Sequence, residues 1–157
     1  MVADDVFRDQ PVLLGARVRL EPLASRHFDG LWPMFGEPEG SRLTGTHVTF
    51  TEAQIRGWLA TRRDHHDRAD WAIVRVADGA VLGEAVINDL DAPNAAANFR
   101  IALVGPEVFG RGYGTEATRL DALHWEGAWH DAISMAILAT APRPATAVTG
   151  APRPASW

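Results

Sequence analysis

Residues 108–120 read VFGRGYGTEATRL, with glycines at Gly110, Gly112 and Gly114 and helix-forming residues after them. A strand-like run, NFRIALVG (98–105), with Phe99, Ile101 and Leu103 on one face, comes just before. A strand that feeds a glycine turn and then a helix is a natural anion site. The unpaired N–H groups and the dipole of a helix N-terminus point at the ligand. Glycines let a bulky anion approach the main chain and permit unusual dihedrals. Two familiar phosphate loops do not fit. A Walker loop needs Lys followed by Ser or Thr after its last glycine, and a dinucleotide fingerprint needs its third glycine one position later. By themselves the three glycines also suit a plain flexible turn.

Working outward, the chain alternates between strand and helix patterns. ARVRLEPL (16–23) alternates apolar and polar residues and predicts a strand. Ser25 stands at an N-cap position, and Phe28, Leu31, Trp32 and Phe35 form a helical stripe ending near Gly36. GEPEGSRLTGTHVTF (36–50) predicts a loop. Thr51, with Gln54 three residues on, predicts a capping box, followed by Ile55, Trp58, Leu59 and Arg62 at helical spacing. WAIVRVA (71–77) and AVLGEAVIND (80–89) predict a hairpin turning at Asp78 and Gly79. DLDAPNAAAN (89–98) predicts a loop, and AWHDAISMAILA (128–139) a last strand, with a short helix as the alternative. The order is strand, two helices, three strands, helix, strand. That order predicts an α/β sandwich with a mixed sheet. One domain over residues 1–140 is expected, then a disordered Pro- and Ala-rich tail over 141–157 that repeats APRPA.

Bulk properties narrow the function. The chain has 157 residues, enough for one domain with a real core. Its net charge of −5 offers no basic footprint for nucleic acid. With no cysteine there is no disulfide and no thiolate metal site. The opening MVADDVFRDQPVLLG carries acids early, and no run approaches a membrane span, so a cytoplasmic protein without a membrane partner is expected.

FRIALVGPEVFGRGYGTEATRL (99–120) resembles the acetyl-CoA motif of the GNAT N-acetyltransferase superfamily. The ribosomal-protein N-terminal acetyltransferases are the branch it looks most like. That branch opens with a strand like GARVRLEPL (15–23), followed by an early histidine or acid and a helix, and carries GxGYGTEA after a strand like FRIALV. The resemblance spans about residues 13–120. It implies an α/β fold whose sheet is mixed but mostly antiparallel and flanked by helices. It implies acetyl-CoA as co-substrate, no metal, and an amine acceptor such as a protein N-terminus or a small amine. The family's diphosphate loop maps onto Phe109, Gly110, Arg111, Gly112, Tyr113 and Gly114, with Thr115 continuing it. Phe109 stands where Gln or Arg is usual, which removes a polar contact. Arg111 faces a phosphate or is simply solvated. Ile101, Ala102 and Leu103 are the implied pantetheine contacts.

The family's chemistry is direct attack of the amine on the thioester, held close and oriented. A backbone N–H polarises the acetyl oxygen. A base must take the ammonium proton, directly or through water. Glu84 is the first choice for that base, with Asn98 and Arg100 on the same expected floor; a structural or solvent-facing glutamate is the competing reading. In relatives the glycine helix leads to a strand, a helix bearing a Tyr that protonates the leaving thiolate, and another strand. Here GTEATRL meets DALHWEGAWHDAISMAIL (121–138), which looks like the family's last hairpin, as if a segment were absent at 120/121. The sheet is therefore expected to be incomplete in its C-terminal half, with a shortened helix ending near Leu120 and a strand after it. The only tyrosine is Tyr113, inside the glycine loop. An uncovered edge would favour a homodimer. The alternative function is a non-catalytic remnant that binds CoA or a partner.

Other clusters read as structure. RRDHHDRAD (62–70) gathers Asp64, His65, His66 and Asp67, but sequence neighbours do not share a helix face, so a solvated helix end is the better reading. His124, His130 and Asp131 surround a cross-strand Trp125–Trp129 pair. Trp32, Trp58 and Trp71 read as core ahead of the lining of an acceptor pocket, and His27 as a capping or surface residue ahead of one lining the acceptor side.

Overall fold

The computed structural model describes residues 7–91, 93 and 96–122. Its centre is a five-stranded sheet in the order β1-β2-β3-β4-β5. The strands are β1 (Leu13–Leu14), β2 (Val18–Pro22), β3 (Arg68–Arg75), β4 (Val81–Asp91) and β5 (Ala96–Leu103). Every pairing among the described residues is antiparallel. Short connections make β1–β2, β3–β4 and β4–β5 antiparallel neighbours, whereas β2 and β3 pair across the helical segment 23–67.

The register sorts the side chains onto two faces, since residues directly opposite share a face. Leu20, Ile73, Gly83 and Leu103 align in one row, and Trp71, Ala85 and Ile101 in the next. This apolar face carries α4 (Tyr113–Ala122), whose Gly114 lies against Ile101 and Leu103. Tyr113 and Ala117, four residues apart on one helix face, are buried there. The opposite face carries the rows Glu21–Ala72–Glu84–Ala102, Asp70–Val86–Arg100 and Arg68–Asn88–Asn98. The N-terminal helices cover it. They are α1 (Phe28–Leu31) between 3-10 turns at Ser25–His27 and Trp32–Gly36, α2 (Pro38–Thr44) and α3 (Glu52–Ala60). Leu23, Leu31, Leu59 and Leu82 are fully buried. Helices on both faces of an antiparallel sheet are the expected α/β sandwich.

The expected capping box at α3 is present: Gln54 N–H donates to Thr51 Oγ1 at 3.2 Å and Thr51 N–H to Gln54 Oε1 at 2.8 Å. The hairpin at Asp78–Gly79 also holds, with Gly79 at φ +74. Several expectations need correcting. Residues 38–44 are a helix rather than a loop. Pro38 at the first helical position, the Glu37 carboxylate on Gly40 N–H and Gly45 at φ 66 are its two ends. The first turn of the α1 run is capped by His27, whose Nδ1 accepts from Ala24 N–H at 3.1 Å, and not by Ser25. β4 and β5 extend into the segment expected to be loop, and β1 is an added edge strand. Helix α4 runs to Ala122, two residues past its expected end. Asp121 and Ala122, expected to open the hairpin, are therefore helical, while the rest of that hairpin, the expected last strand and the tail lie outside the described residues. Among those described, no helix is long and apolar enough to cross a membrane.

Candidate active site

β5 ends at Leu103, where Val104 N–H returns to Leu82 carbonyl at 2.8 Å. The chain then makes a 3-10 turn, Pro106–Val108, closed by Val108 N–H on Gly105 carbonyl and Phe109 N–H on Pro106 carbonyl. Gly110 and Gly112 follow at φ 67 and φ 83, a left-handed region that other residues enter only with strain. The first α4 bond is Glu116 N–H to Gly112 carbonyl at 3.0 Å. Among the described residues, the amides of Gly110, Arg111, Gly112, Tyr113, Gly114 and Thr115 find no backbone or side-chain acceptor. Gly110, Arg111, Gly112 and Thr115 are exposed. Six unengaged donors at the head of a helix are the geometry that receives an anion. The Phe109 amide is already engaged, so that residue contributes its half-buried ring against the core instead.

The loop is tied to the start of β2. Arg17 Nη1 donates to Arg111 carbonyl at 2.8 Å, and its guanidinium lies 4.4 Å from the centre of the Tyr113 ring. Glu116 Oε1 accepts from Arg17 N–H at 2.7 Å and Val18 N–H at 3.2 Å. A Cβ on Gly15 would lie 2.6 Å from that oxygen, so glycine lets the two segments approach. The Tyr113 phenol is held below its ordinary pKa first by the neighbouring Arg75 guanidinium and then by Arg17. Neither Arg17 nor Glu116 emerged from the sequence. They are far apart along the chain, and no local pattern announces their contact.

Ile101, Ala102 and Leu103 are half-buried on β5, which has a strand on one side only among the described residues. Glu84 pairs with Ala102 across the β4–β5 ladder, with its carboxylate on the face opposite α4. Glu84 is 5% exposed. Its Oε1 accepts from Arg100 Nη2 at 3.3 Å, whereas Oε2 is buried without a hydrogen-bond partner among the described residues. Burial raises its pKa, Asp70 adds to the rise, and Arg100, Arg68 and Arg62 oppose it. A raised carboxylate is a better proton acceptor near neutral pH. The structure brings Arg100 to Glu84. Asn98 sits further along, donating instead to Asn88 Oδ1 at 3.1 Å.

Beside Glu84, the fully buried Asp70 accepts two hydrogen bonds from Arg68, at 2.8 and 2.6 Å. His27 is buried rather than surface-lying, and its Nε2 meets Glu21 Oε2 at 3.1 Å. Burial opposes ionisation of Glu21, but hydrogen bonds from His27, Arg19 and Arg26 bring its pKa to about 2. At 62–70 the histidines do not gather: His65 Nε2 meets Arg62 Nη2 at 3.1 Å, and Arg62 folds inward over Trp58. Among the described residues no three His, Asp or Glu side chains gather closely enough to hold a metal ion. Trp71 is buried, with its Nε1 on Pro11 carbonyl, while Trp32 and Trp58 are half-buried in an aromatic row with Phe28 and Phe35. His124, Trp125, Trp129, His130 and Asp131 lie outside the described residues.

Residues 17–142 match the family model described as Acetyltransferase (GNAT) domain. A GCN5-related N-acetyltransferase from Brucella melitensis is 27% identical, with a TM-score of 0.60 over 72% of this chain and 53% of that one. An acetyltransferase of the GNAT family from Bacillus anthracis is 12% identical, with a TM-score of 0.59 over 71% of this chain and 63% of that one. A ribosomal L7/L12 α-N-protein acetyltransferase, solved in complex with coenzyme A, is also 12% identical, with a TM-score of 0.58 over 70% of this chain and 64% of that one. The likeness to the last two is one of fold. The chain spans between 53% and 64% of the length of these three structures. No curated protein matches it.

Proposed function

The chain belongs to the GNAT acetyltransferase domain family, and on that footing we propose that it moves an acetyl group from acetyl-CoA to a primary amine. The observation that carries this reading is the row of amides from Gly110 to Thr115, unengaged among the described residues, beside β5, whose outer edge has no strand among those residues. The diphosphate of CoA sits on those amides, with Arg111 at the mouth. The pantetheine arm runs along Ile101, Ala102 and Leu103. The thioester is then held beside the β4–β5 ladder, where Glu84 receives the proton of the acceptor ammonium through water, since its carboxylate is covered. A protein N-terminus is one such acceptor, by analogy with the ribosomal-protein enzymes of this fold.

A second reading is favoured by Tyr113. The only tyrosine of the chain is buried at the base of α4 under Arg17, away from any role in protonating a departing thiolate. On that reading the chain, read as lacking the strand–helix–strand of its relatives between Leu120 and Asp121, keeps CoA binding and loses turnover. Calorimetric titration with CoA, run beside a thiol-release assay with acetyl-CoA and generic amines, separates the two. Binding with robust turnover supports the enzyme, and binding without turnover supports the remnant. No binding removes both.

A further inference from the structure

We propose that Arg17 and Glu116 form a clamp that aims the Gly112 amide out of the glycine loop and so positions the loop for a diphosphate. The inference rests on the reading of that loop as the CoA cradle. The peptide joining Arg111 to Gly112 is trans, so its carbonyl and its N–H point in opposite directions. Arg17 Nη1 holds the Arg111 carbonyl on the β2 side at 2.8 Å. The Gly112 N–H is thereby turned away from β2 and toward solvent, where no protein acceptor meets it among the described residues. Glycine at 112 leaves room for the guanidinium, since a Cβ there would sit 3.3 Å from Arg17 Nη1.

Glu116 completes the device from the other side. Its Oε1 takes the Arg17 and Val18 amides, which fixes the backbone from which the Arg17 side chain departs. The same two bonds hold this first-turn carboxylate against β2, limiting its repulsion of an anion at the helix head. Stacking of the guanidinium on Tyr113, the first residue of α4, fixes its plane. Arg17 and Glu116 are thus positioning residues: they act on the cofactor through the loop.

The test compares CoA with pantetheine, which lacks the diphosphate, by titration into the full chain. The variants are Arg17→Met, Arg17→Lys, Glu116→Ala and Glu116→Gln, with thermal melts as the folding check. Arg17→Lys keeps the charge and the aliphatic stem but loses the forked donor, and serves if the methionine variant does not fold. Arg17→Met, Arg17→Lys and Glu116→Ala are expected to weaken CoA roughly tenfold and leave pantetheine unchanged, the size of one lost charge-assisted contact. Glu116→Gln, which keeps the acceptor oxygen, should recover most of the loss. A general loss of stability would weaken both ligands together. CoA affinities in the Arg17 variants equal to wild type overturn the clamp, while loss of CoA in a Gly112→Val variant of the same series leaves the cradle standing. Gly112→Val binding CoA like wild type overturns the cradle and the clamp with it.

Discussion

Gly83→Ala should unfasten β5 from β4. A Cβ at position 83 would lie 2.0 Å from Ala102 carbonyl oxygen, 2.9 Å from Leu103 Cα and 3.0 Å from Ala102 carbonyl carbon. Ordinary contact begins near 3.4 Å, so the methyl is about 1.4 Å too close to an atom that cannot rotate away. The two strands must part where Gly83 pairs with Leu103 and Glu84 with Ala102, next to the Val104 N–H bond to Leu82. Losing two or three ladder bonds at about 1 kcal/mol each, with the packing around them, gives a total near 3 kcal/mol. For a chain of this size that lowers the melting temperature by roughly 10 °C. Two other glycines calibrate the result in the same circular-dichroism melts. Gly79→Ala, at φ +74 with open space around it, should cost about 1 kcal/mol from backbone strain alone. Gly57→Ala, inside α3 with nothing within 4 Å, should stabilise by about 0.5–1 kcal/mol. Gly83→Ala melting alongside Gly79→Ala would refute the close-approach argument.

Arg68→Met strands the buried Asp70 carboxylate and should destabilise by about 3–5 kcal/mol in urea unfolding, with most of it recovered in Arg68→Met/Asp70→Leu. His27 has its pKa lowered below 6.5, first by burial, so the fold disfavours its protonated form. Its contribution to stability is present above pH 6.5 and lost as pH falls from there through the folded-state value. Between pH 7.5 and 5 the wild-type urea midpoint should therefore fall relative to that of His27→Gln, a comparison in which the Glu84 contribution cancels; Glu21, with a pKa of about 2, does not titrate in that window. Glu84 has the opposite sign. Its raised pKa stabilises below 4.5, and that contribution is lost as pH rises through the folded-state value. If the chain turns over, Glu84→Gln should lower kcat by about 10²–10⁴ and remove the acid limb of the pH–rate profile, without lowering the melting temperature at pH 7.5.

Local patterns told most of the sheet and little of what fastens it. β2 to β5 and α3 were legible because alternation, a turn dipeptide and a capping box all act over a few residues. Helix α2 was not: Pro38 and Gly45, which punctuate loops elsewhere, here begin and end a seven-residue helix with few apolar residues to mark it. The glycine loop could be located, but not which amides are spent; the Phe109 amide closes a turn and the next six do not. Glu84 could be placed on its strand, yet its burial follows from the helices packed over that face, which no alternation in VLGEAVIND records. The Arg17–Glu116 contact joins residues 99 apart in sequence and exists only once β2 and α4 meet. His27 read as a surface or capping residue because its cap is local, while its contact with Glu21 of β2 depends on the 3-10 turn that buries the imidazole.

The central claim is that the amides from Gly110 to Thr115 receive the diphosphate of CoA. Titrating CoA into ¹⁵N-labelled protein and following the backbone amides tests it directly. The Gly110, Arg111, Gly112, Tyr113, Gly114 and Thr115 signals should move together and saturate at one dissociation constant. Saturable shifts elsewhere with these six unmoved would contradict the account.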